Sequence, residues 1–374
     1  MAKNKSKEKK YLFNLRDKYL NRNIRYPFKL LSNIIIISFL LFSLTKTKKK
    51  HQKIEFKYFA CFGSIVRKEN LYIRDLISYY LNIGFEKFIF GDNNFPNVEK
   101  ISDVIKDYIN KGIVDIIEVF GSSMSQGEFF SIIYKKYKNM CAWISFFDID
   151  EYLRMHSEDK TIISVRKYLS NPIFNKCESI SINWLMYSDN NLLFYDNRSV
   201  LERFTTPLYK NRENRLVKSI VRGNLNKKVF SPLDSNHVPH KELIICNSMG
   251  KIIKRYNGFY VKPPLLKYAY LMHYNTKTAE EFIQKIKRGS NKNVVYNITD
   301  MIKGFFNINN FTEEKLRLFE KAFNRTFNQF RNYTNSCNIV YMNIIYIMLF
   351  FYAYLFKYIL FLQEININFL IITI

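Results

Sequence analysis

The chain has 374 residues and a mass of 45.0 kDa, a length that accommodates one large domain or two of ordinary size. Hydrophobic residues make up 48% and charged residues 24%, which excludes wholesale disorder, and only 11 Gly and 8 Pro exclude collagen-like and linker-like chains. The five cysteines are scattered without a C-x-x-C pair, which excludes a zinc ribbon and predicts that the chain is no disulfide scaffold.

The net charge of +26 is concentrated near the start of the chain. Residues 1–57 carry a net charge of +13, which is half of the excess in about a sixth of the sequence. Such a charge would by itself suggest a nucleic acid or an anionic surface as partner. Because the distribution is uneven, and because the wealth of Lys, Asn, Ile, Phe and Tyr is typical of an AT-rich genome, we expect no nucleic-acid partner.

Both ends of the chain carry uncharged segments that could associate with a membrane. Residues 30–45 lie between basic flanks, but sixteen helical residues span about 24 Å, less than the hydrocarbon core of about 30 Å. Residues 338–356 are 19 uncharged residues, which is long enough for a span. In both places the alternative is a helix that packs against the protein.

These segments predict three parts of the chain: a basic tail and candidate membrane anchor at 1–57, a folded domain at 58–335, and an apolar C-terminal segment and candidate span at 336–374. We expect the membrane to be a partner and the protein to cross it once. The location would be of Golgi type if the source is eukaryotic, or the cytoplasmic face of the inner membrane if it is bacterial.

Residues 58–155 alternate between strand-like and helix-like patterns, which predicts an α/β fold with a mostly parallel, Rossmann-like sheet and flanking helices. The expected strands lie at 58–66, 87–91, 113–120 and 142–147, and the expected helices at 70–83, 98–111 and 126–139. A later helix is expected at 277–288, because Thr276 or Thr278 can cap its start and Gly289 ends it.

Two aspartates, Asp148 and Asp150, follow the fourth expected strand in the run FFDIDEY. Side chains two residues apart in an extended chain lie on one side, and open α/β sheets bind ligands at the carboxyl ends of their parallel strands. Two carboxylates there suit Mn²⁺ or Mg²⁺ shared with a phosphate-bearing substrate, and the alternative is a solvated acidic turn. An aspartyl-phosphatase is disfavoured, because three strand–helix units precede the motif and Tyr152 stands where that chemistry needs Thr or Val.

Four blocks of the chain, in order, resemble glycosyltransferase family 92 and its bacterial family-2-like relatives. They are VRKENLYIRDLISYYLNIGFEKFIFGDNN, FFDIDEYL, KSIVRGNLNKKV and LMHYNTKTAEEFIQKIKRG. The resemblance covers about residues 58–290 and leaves out both ends. It implies a GT-A fold and a metal-dependent transfer of a hexose from a nucleotide diphosphate sugar, for which UDP-galactose is the family's best-known donor. The implied acceptor is a glycan or a lipid-linked sugar.

The resemblance also implies roles for individual residues. The implied donor-binding residues are Arg67, Glu69, Asp92, Asn93, Lys218 and Arg222. The implied metal ligands for Mn²⁺ or Mg²⁺ are Asp148, Asp150 and His273, although His273 could instead be a structural histidine.

For the acceptor, the resemblance points to Trp184, which could stack on a sugar ring or simply pack in the core. The turn that follows it departs from the family pattern, and Asp189 in that turn is the candidate catalytic base. The alternative function is a catalytically inactive, membrane-tethered binding protein with a GT-A-like fold, and the intact D-x-D motif favours the enzyme.

Overall fold

The computed structural model describes residues 55–323 except 96, 121–123, 226–232, 234–238, 255–260 and 290–297. The uncharged segments at 30–45 and 338–356 lie outside the described residues. In the part of the chain that is described, no helix combines the length and the apolar character needed to cross a membrane. The expected membrane association and the expected domain boundaries therefore stay predictions.

The described strands form one mixed sheet with helices on both faces. The strands are β1 (Tyr58–Val66), β2 (Lys87–Asp92), β3 (Val114–Glu118), β4 (Cys141–Phe146), β5 (Glu151–Met155), β6 (Ser179–Met186), β7 (Val217–Arg222), β8 (Ile245–Asn247) and β9 (Ala269–His273). The helices are α1 (Asn70–Asn82), α2 (Ile101–Val104), α3 (Lys106–Asn110), α4 (Gln126–Tyr137), α5 (Val165–Leu169), α6 (Val200–Arg203), α7 (Ala279–Arg288), α8 (Ile298–Ile308) and α9 (Glu313–Phe323). Along the sheet the strands follow the order β3-β2-β1-β4-β7-β6-β9-β5, and β8 pairs with β6.

The first half of the sheet is the parallel α/β unit that the sequence predicts. β1 pairs in parallel with both β2 and β4, and β2 pairs in parallel with β3. Helices connect these strands, as parallel neighbours require. In the register of the ladders Val66 is opposite Asp92 and Gly63 is opposite Phe146, so the carboxyl ends of β1, β2 and β4 share one edge.

The second half of the sheet departs from a parallel arrangement. β7 is antiparallel to β4 and to β6, and β5 is antiparallel to β9, while β6 and β9 are parallel. Only residues 147–150 separate β4 from β5, which is too short for the helical crossover of a parallel neighbour. The chain therefore leaves β4 at the D-x-D turn and places β5 at the far side of the sheet, which curls the fold around this turn.

Successive side chains of β1 lie on opposite faces of the sheet, and both faces are buried. Phe62 is fully buried on one face, where its ring lies 4.6 Å from that of Tyr80 on α1. Its neighbour Cys61 is buried on the other face, in a cluster with Phe129 and Phe130 of α4. Side chains that alternate in this way require helices on both faces, and each fully buried aromatic ring contributes roughly 1.5–3 kcal/mol.

One expected helix is interrupted. The sequence predicts a helix over 98–111, but the structure has the two short helices α2 and α3, because Ile105 between them leaves helical geometry with φ −123° and ψ 26°. The side chain of Ile105 is fully buried in the core. Packing of this residue therefore overrides a continuous helical pattern.

The cysteines correct another expectation. Their spacing predicts no disulfide framework, yet the structure pairs Cys61 with Cys141 and Cys177 with Cys246. The partners are 80 and 69 residues apart in the sequence, while their Cα atoms lie 6.0 and 5.7 Å apart. The first pair joins β1 to its neighbour β4, so the pairing follows from strand order, which local spacing does not contain.

Candidate active site

The D-x-D turn lies where the sequence analysis expects it, at the carboxyl edge of the parallel strands. β4 ends at Phe146, the next residue Phe147 is fully buried, and Asp148 begins the turn that leads to β5. The buried phenylalanines anchor the start of the turn in the core. The two aspartates are thereby held at the edge where β1 and β2 also end.

Asp150 is a buried carboxylate surrounded by basic side chains. In the β5–β9 ladder Glu151 is opposite His273, which brings the imidazole beside Asp150. Nε2 of His273 lies 3.5 Å from Oδ1 of Asp150. The other carboxylate oxygen, Oδ2, lies 3.2 Å from Nζ of Lys285 and 4.0 Å from Nζ of Lys277. Asp150 therefore turns one oxygen to a histidine and the other to two lysines.

Asp148 is held by a different set of partners and is more exposed, with a third (33%) of its side chain accessible. Nζ of the fully buried Lys218 lies 2.6 Å from Oδ2 of Asp148 and 3.6 Å from Oε1 of Glu151. The side-chain amide of Gln126, at the start of α4, donates to Oδ1 of Asp148. The backbone N–H of Asp148 donates to Oε2 of Glu151 at 2.9 Å, which closes the turn.

Burial and charge set the protonation states of this cluster. Burial alone would raise the pKa of Asp150, but Lys285 and His273 outweigh it and hold that pKa well below its usual range. Burial lowers the pKa of His273, with partial opposition from Asp150, so the neutral imidazole is favoured. Burial raises the pKa of Glu151 well above its usual value against the opposing effect of Lys218. Carboxylates with such different pKa values in one turn are typical of functional sites.

Helix α7 presents a row of charged side chains to the turn. Thr278 caps the helix by accepting a hydrogen bond from the backbone N–H of Glu281 at 3.1 Å, and Gly289 ends it with φ 70°. These caps confirm the expected helix. From it Lys285 reaches Asp150, and Arg288 forms an ion pair of 2.9 Å with Glu69.

Two cavities adjoin this cluster and share part of their lining. Cavity A has a volume of about 550 Å³ and is lined by residues that include Lys68, Glu69, Tyr72, Lys277, Lys285 and Arg288. Cavity B has a volume of about 710 Å³ and is lined by residues that include Trp184, Lys210, Asn211, Phe282, Lys285 and Asn307. Asn275, Thr276 and Lys285 line both. Lys285, which contacts Asp150, thus borders both cavities.

Arg67 and Glu69 follow β1, and the structure brings this segment to cavity A. Glu69 lines the cavity and pairs with Arg288. The guanidinium of Arg288 also donates to the backbone oxygen of Arg67 at 2.8 Å. Burial and the nearby Arg288 lower the pKa of Arg67.

Asp92 and Asn93 are placed differently from the expectation of direct donor contacts. Asp92 is 1% exposed, and its two oxygens accept from the backbone N–H groups of Asn94 at 3.0 Å and Ile101 at 2.9 Å. Asn93 is also 1% exposed. The turn acts on the site indirectly, because Oδ1 of Asn94 accepts from the backbone N–H of Lys68, which lines cavity A.

Lys218 and Arg222 were expected to act together, and the structure separates them. In the antiparallel β4–β7 ladder Ser219 is opposite Phe146, while Arg222 is opposite Trp143. Four residues of strand correspond to about 13 Å, so Arg222 lies toward the other end of β4. Its guanidinium donates to the backbone oxygens of residues 174 and 177 and stacks on the Trp143 ring. The expectation of a donor contact by Arg222 is corrected to a structural role.

Trp184 lies on β6 and is 9% exposed. The centroid of its ring is 4.2 Å from that of His273, and the residue lines cavity B. Its role at the acceptor stays a prediction, since the ring both packs and borders the cavity.

Asp189 does not lie in a setting that suits a catalytic base. It is 1% exposed, and its Oδ2 lies 2.7 Å from Nζ of Lys315, which is itself fully buried. Its Oδ1 accepts from the backbone N–H of Asn191 at 2.9 Å. Both carboxylate oxygens are therefore engaged by protein groups inside the fold. The pair connects the turn after β6 to α9.

Several residues of the cluster were missed by the sequence analysis, namely Gln126, Glu151, Lys277 and Lys285, as was Arg288. Part of the signal was present, because residues 281, 285 and 288 recur at the spacing of one helical face. The sequence predicted the caps of α7, but it did not show which part of the protein this helical face contacts. Only the β5–β9 pairing shows that it meets the D-x-D turn.

The donor atoms near Asp150 fit a divalent cation. An ionised carboxylate and a neutral imidazole lie side by side, and Nδ1 of His273 makes no hydrogen bond to any described residue. Among residues 55–323 as described, no group of three or more His, Cys, Asp or Glu side chains is placed to hold a metal ion. A pair of protein ligands completed by substrate phosphates is a common arrangement for Mg²⁺.

Comparison with known proteins shows the family to which the chain belongs. The family model of glycosyltransferase family 92 matches residues 57–303, and the chain belongs to this family. It is therefore a glycosyltransferase, an enzyme that binds a sugar donor and an acceptor. No curated protein matches the chain. Among solved structures it is similar to S. aureus TarS 1–349, with 13% identity over 71% of this chain and 72% of that chain. The TM-score is 0.26, too low for an argument from that structure.

Proposed function

We propose that this glycosyltransferase has a GT-A fold and moves a hexose from a nucleotide diphosphate sugar to a hydroxyl group of a glycan or lipid-linked acceptor, with Mn²⁺ or Mg²⁺ as cofactor. The observation that carries the proposal is the meeting of two cavities at one charged cluster. Lys285 lines both cavities and lies 3.2 Å from Asp150, which in turn lies 3.5 Å from His273. A transfer reaction needs such an arrangement, because donor and acceptor must meet at one point.

Cavity A suits the nucleotide diphosphate of the donor. It adjoins the loop after β1, at the edge where nucleotides bind to open α/β sheets. Lys68, Lys277 and Arg288 line it, and cations of this kind bind phosphate oxygens. UDP-galactose is the first donor to test, because the resemblance to the family suggests it.

The cofactor would be held by Asp150 and His273, with Asp148 on the same turn. When bound there, a divalent cation supplies positive charge to the diphosphate. Lys218 holds Asp148 in position, because the ammonium group of this buried lysine lies 2.6 Å from that carboxylate. Glu151 closes the turn by accepting from the backbone N–H of Asp148 and so fixes the spacing of the two aspartates.

Cavity B suits the acceptor. It shares Asn275 and Thr276 with cavity A, and Trp184 forms part of its wall. The amide side chains of Asn211 and Asn307 line it as well, and such groups can hydrogen-bond sugar hydroxyls. An acceptor hydroxyl that reaches Lys285 from this side would face the donor sugar at the shared region.

Donor hydrolysis by the full chain tests the proposal. Release of nucleoside diphosphate from a panel of nucleotide sugars would be measured with Mn²⁺, with Mg²⁺ and with chelator. We expect turnover of one donor that the chelator abolishes. The variant Asp150→Asn should reduce turnover by at least about a hundredfold, since several kcal/mol of charge stabilisation is lost. Asp300→Asn is the matched control, because the side chain of Asp300 is 67% exposed on α8.

The outcomes separate the alternatives. Turnover that is unaffected by chelator would refute the cofactor but keep the transferase. Binding of a nucleotide sugar without any turnover would favour the inactive binding protein instead.

Membrane tethering belongs to the proposal and rests on the uncharged segments at 30–45 and 338–356. Cell fractionation of the full chain and of variants that lack 1–57, 336–374 or both tests it. We expect the full chain to sediment with membranes and the double deletion to be released. A full chain that stays in the aqueous fraction without detergent would refute the tether.

A further inference from the structure

We propose that Lys277 contacts the diphosphate of the bound sugar donor and stabilises the negative charge that builds up there as the bond to the sugar breaks. This inference rests on the proposed function, because it assigns Lys277 to the donor site in cavity A. The role makes Lys277 a catalytic residue that acts in addition to the divalent cation held by Asp150 and His273.

The backbone holds Lys277 in an unusual conformation. Its φ is 52°, in the left-handed region that residues with a side chain seldom adopt. The residue directly precedes Thr278, the cap of α7, so it lies where β9 has ended and the helix begins. Unfavourable backbone conformations of this kind persist at sites where the surrounding structure needs a side chain in one place. Here the conformation brings the lysine to cavity A.

The ammonium group of Lys277 is confined but not hydrogen-bonded to a carboxylate. The residue is 6% exposed, and Nζ lies 4.4 Å from the centroid of the Tyr72 ring. Its contact with Oδ2 of Asp150 is 4.0 Å, longer than a hydrogen bond. The ring and the carboxylate keep the cation at the cavity wall, while its N–H donors remain available for a ligand.

Two neighbouring cations of cavity A, Lys285 and Arg288, are already engaged by protein groups. Lys285 donates to the backbone oxygen of Asn275 at 2.8 Å and to Asp150 at 3.2 Å. Arg288 pairs with Glu69 at 2.9 Å. These short contacts must be shared or broken before either cation can bind a phosphate fully. Lys277 lies 4.0 Å from Asp150, beyond hydrogen-bond distance, so it can bind a phosphate oxygen at a lower cost in free energy.

The transfer step shows what this cation contributes. The acceptor hydroxyl oxygen forms a bond to the anomeric carbon of the sugar, and the bond from that carbon to the diphosphate oxygen breaks. The electron pair of the broken bond stays on the departing nucleoside diphosphate, and the hydroxyl proton passes to a base. Lys277 donates a hydrogen bond to a phosphate oxygen throughout and neither gains nor loses a proton. Such a charged hydrogen bond strengthens as negative charge grows on the leaving group.

Binding of inorganic pyrophosphate to the full chain, measured by titration calorimetry with Mn²⁺ present, tests this role without knowledge of the nucleobase. Lys277→Met should weaken pyrophosphate binding by about tenfold or more. Lys277→Arg, which keeps the positive charge, should bind pyrophosphate nearly as tightly as the wild type. Lys277→Asn serves as a second neutral variant, because asparagine tolerates the left-handed backbone. Lys176→Met is the matched control, since Lys176 is an exposed lysine that lines neither cavity, and it should change binding by less than about threefold.

Kinetics with the accepted donor provide the second readout. Lys277→Met should lower kcat by about a hundredfold and change KM much less, because the contact strengthens as the bond breaks. A merely structural role would lower the melting temperature of the variants without weakening pyrophosphate binding to the folded chain, and that result would overturn the proposal. Equal losses in Lys277→Met and Lys176→Met would overturn it too. If the wild-type chain binds pyrophosphate through Lys277 but cleaves no donor, the proposed function fails while the contact stands.

Discussion

Replacement of Lys218 by methionine tests whether a buried cation holds the D-x-D turn together. Lys218 is fully buried, and its ammonium group lies 2.6 Å from Asp148 and 3.6 Å from Glu151. Methionine fills nearly the same space, so the variant removes charge without creating a large cavity. Loss of one partner of a buried ion pair costs about 3–5 kcal/mol. We expect about 3 kcal/mol, because Asp148 is 33% exposed and water compensates part of its charge.

Urea unfolding of the full chain measures this loss through tryptophan fluorescence. The chain has two tryptophans, Trp143 and Trp184, which are 2% and 9% exposed and therefore report on unfolding of this domain. In a domain of this size a loss of about 3 kcal/mol corresponds to a decrease in melting temperature of roughly 6–12 °C. The control Lys176→Met changes an exposed lysine and should alter the free energy of unfolding by less than about 0.5 kcal/mol.

A double variant shows where the loss arises. In Lys218→Met/Asp148→Asn the carboxylate that lies 2.6 Å from the missing cation is also neutral, so we expect about 1 kcal/mol of stability to return. A single variant Lys218→Met as stable as the Lys176→Met control would refute the reasoning. The buried lysine would then contribute no compensation to the carboxylates of the turn.

Three further predictions concern the rest of the domain. Burial opposes ionisation of Glu281, but Arg203 outweighs burial and holds the pKa of the Glu281 carboxyl below the usual 4.5. The stabilisation from this ionised carboxylate is therefore present above about pH 4.5. It is lost as the pH falls through the pKa of Glu281 in the folded state. Acid titration of unfolding should therefore show a shallower loss of stability in Glu281→Gln than in the wild type over this range. Gly223→Ala should lower the free energy of unfolding in urea by about 3 kcal/mol, because the added Cβ would overlap the backbone oxygen of Cys141. At Gly304 the added Cβ would meet open space, so Gly304→Ala should change the free energy of unfolding little. Four of the described cysteines are paired in two disulfides, so thiol labelling of the denatured chain should find four more thiols after reduction than before it.

Local pattern was sufficient for the first half of the fold. The alternation of apolar strands and amphipathic helices over 58–155 predicted the parallel unit, because side-chain period and helix caps are properties of short segments. The same logic placed Asp148 and Asp150 at the carboxyl edge and located the start and end of α7. The order of the four sequence blocks was also sufficient to indicate the family, because residue identity along the chain carries that signal.

Strand pairing decided which of the candidate residues could act together. His273 reaches Asp150 because β5 and β9 pair with Glu151 opposite His273, a register that no local pattern contains. Arg222 is carried away from the site by the antiparallel register of β4 and β7, although it is close to Lys218 in the sequence.

Burial likewise depended on the tertiary structure. Asp189 has the chemistry of a base, but α9 supplies Lys315 and removes it from solvent. The two disulfides join cysteines 80 and 69 residues apart, because neighbouring positions in the sheet bring them within reach. A sequence specifies which side chains are present and how each short segment folds. Long-range strand pairing then determines how far apart side chains lie and how exposed each one is to water. These two quantities set the charge state and pKa of each side chain and its access to a ligand.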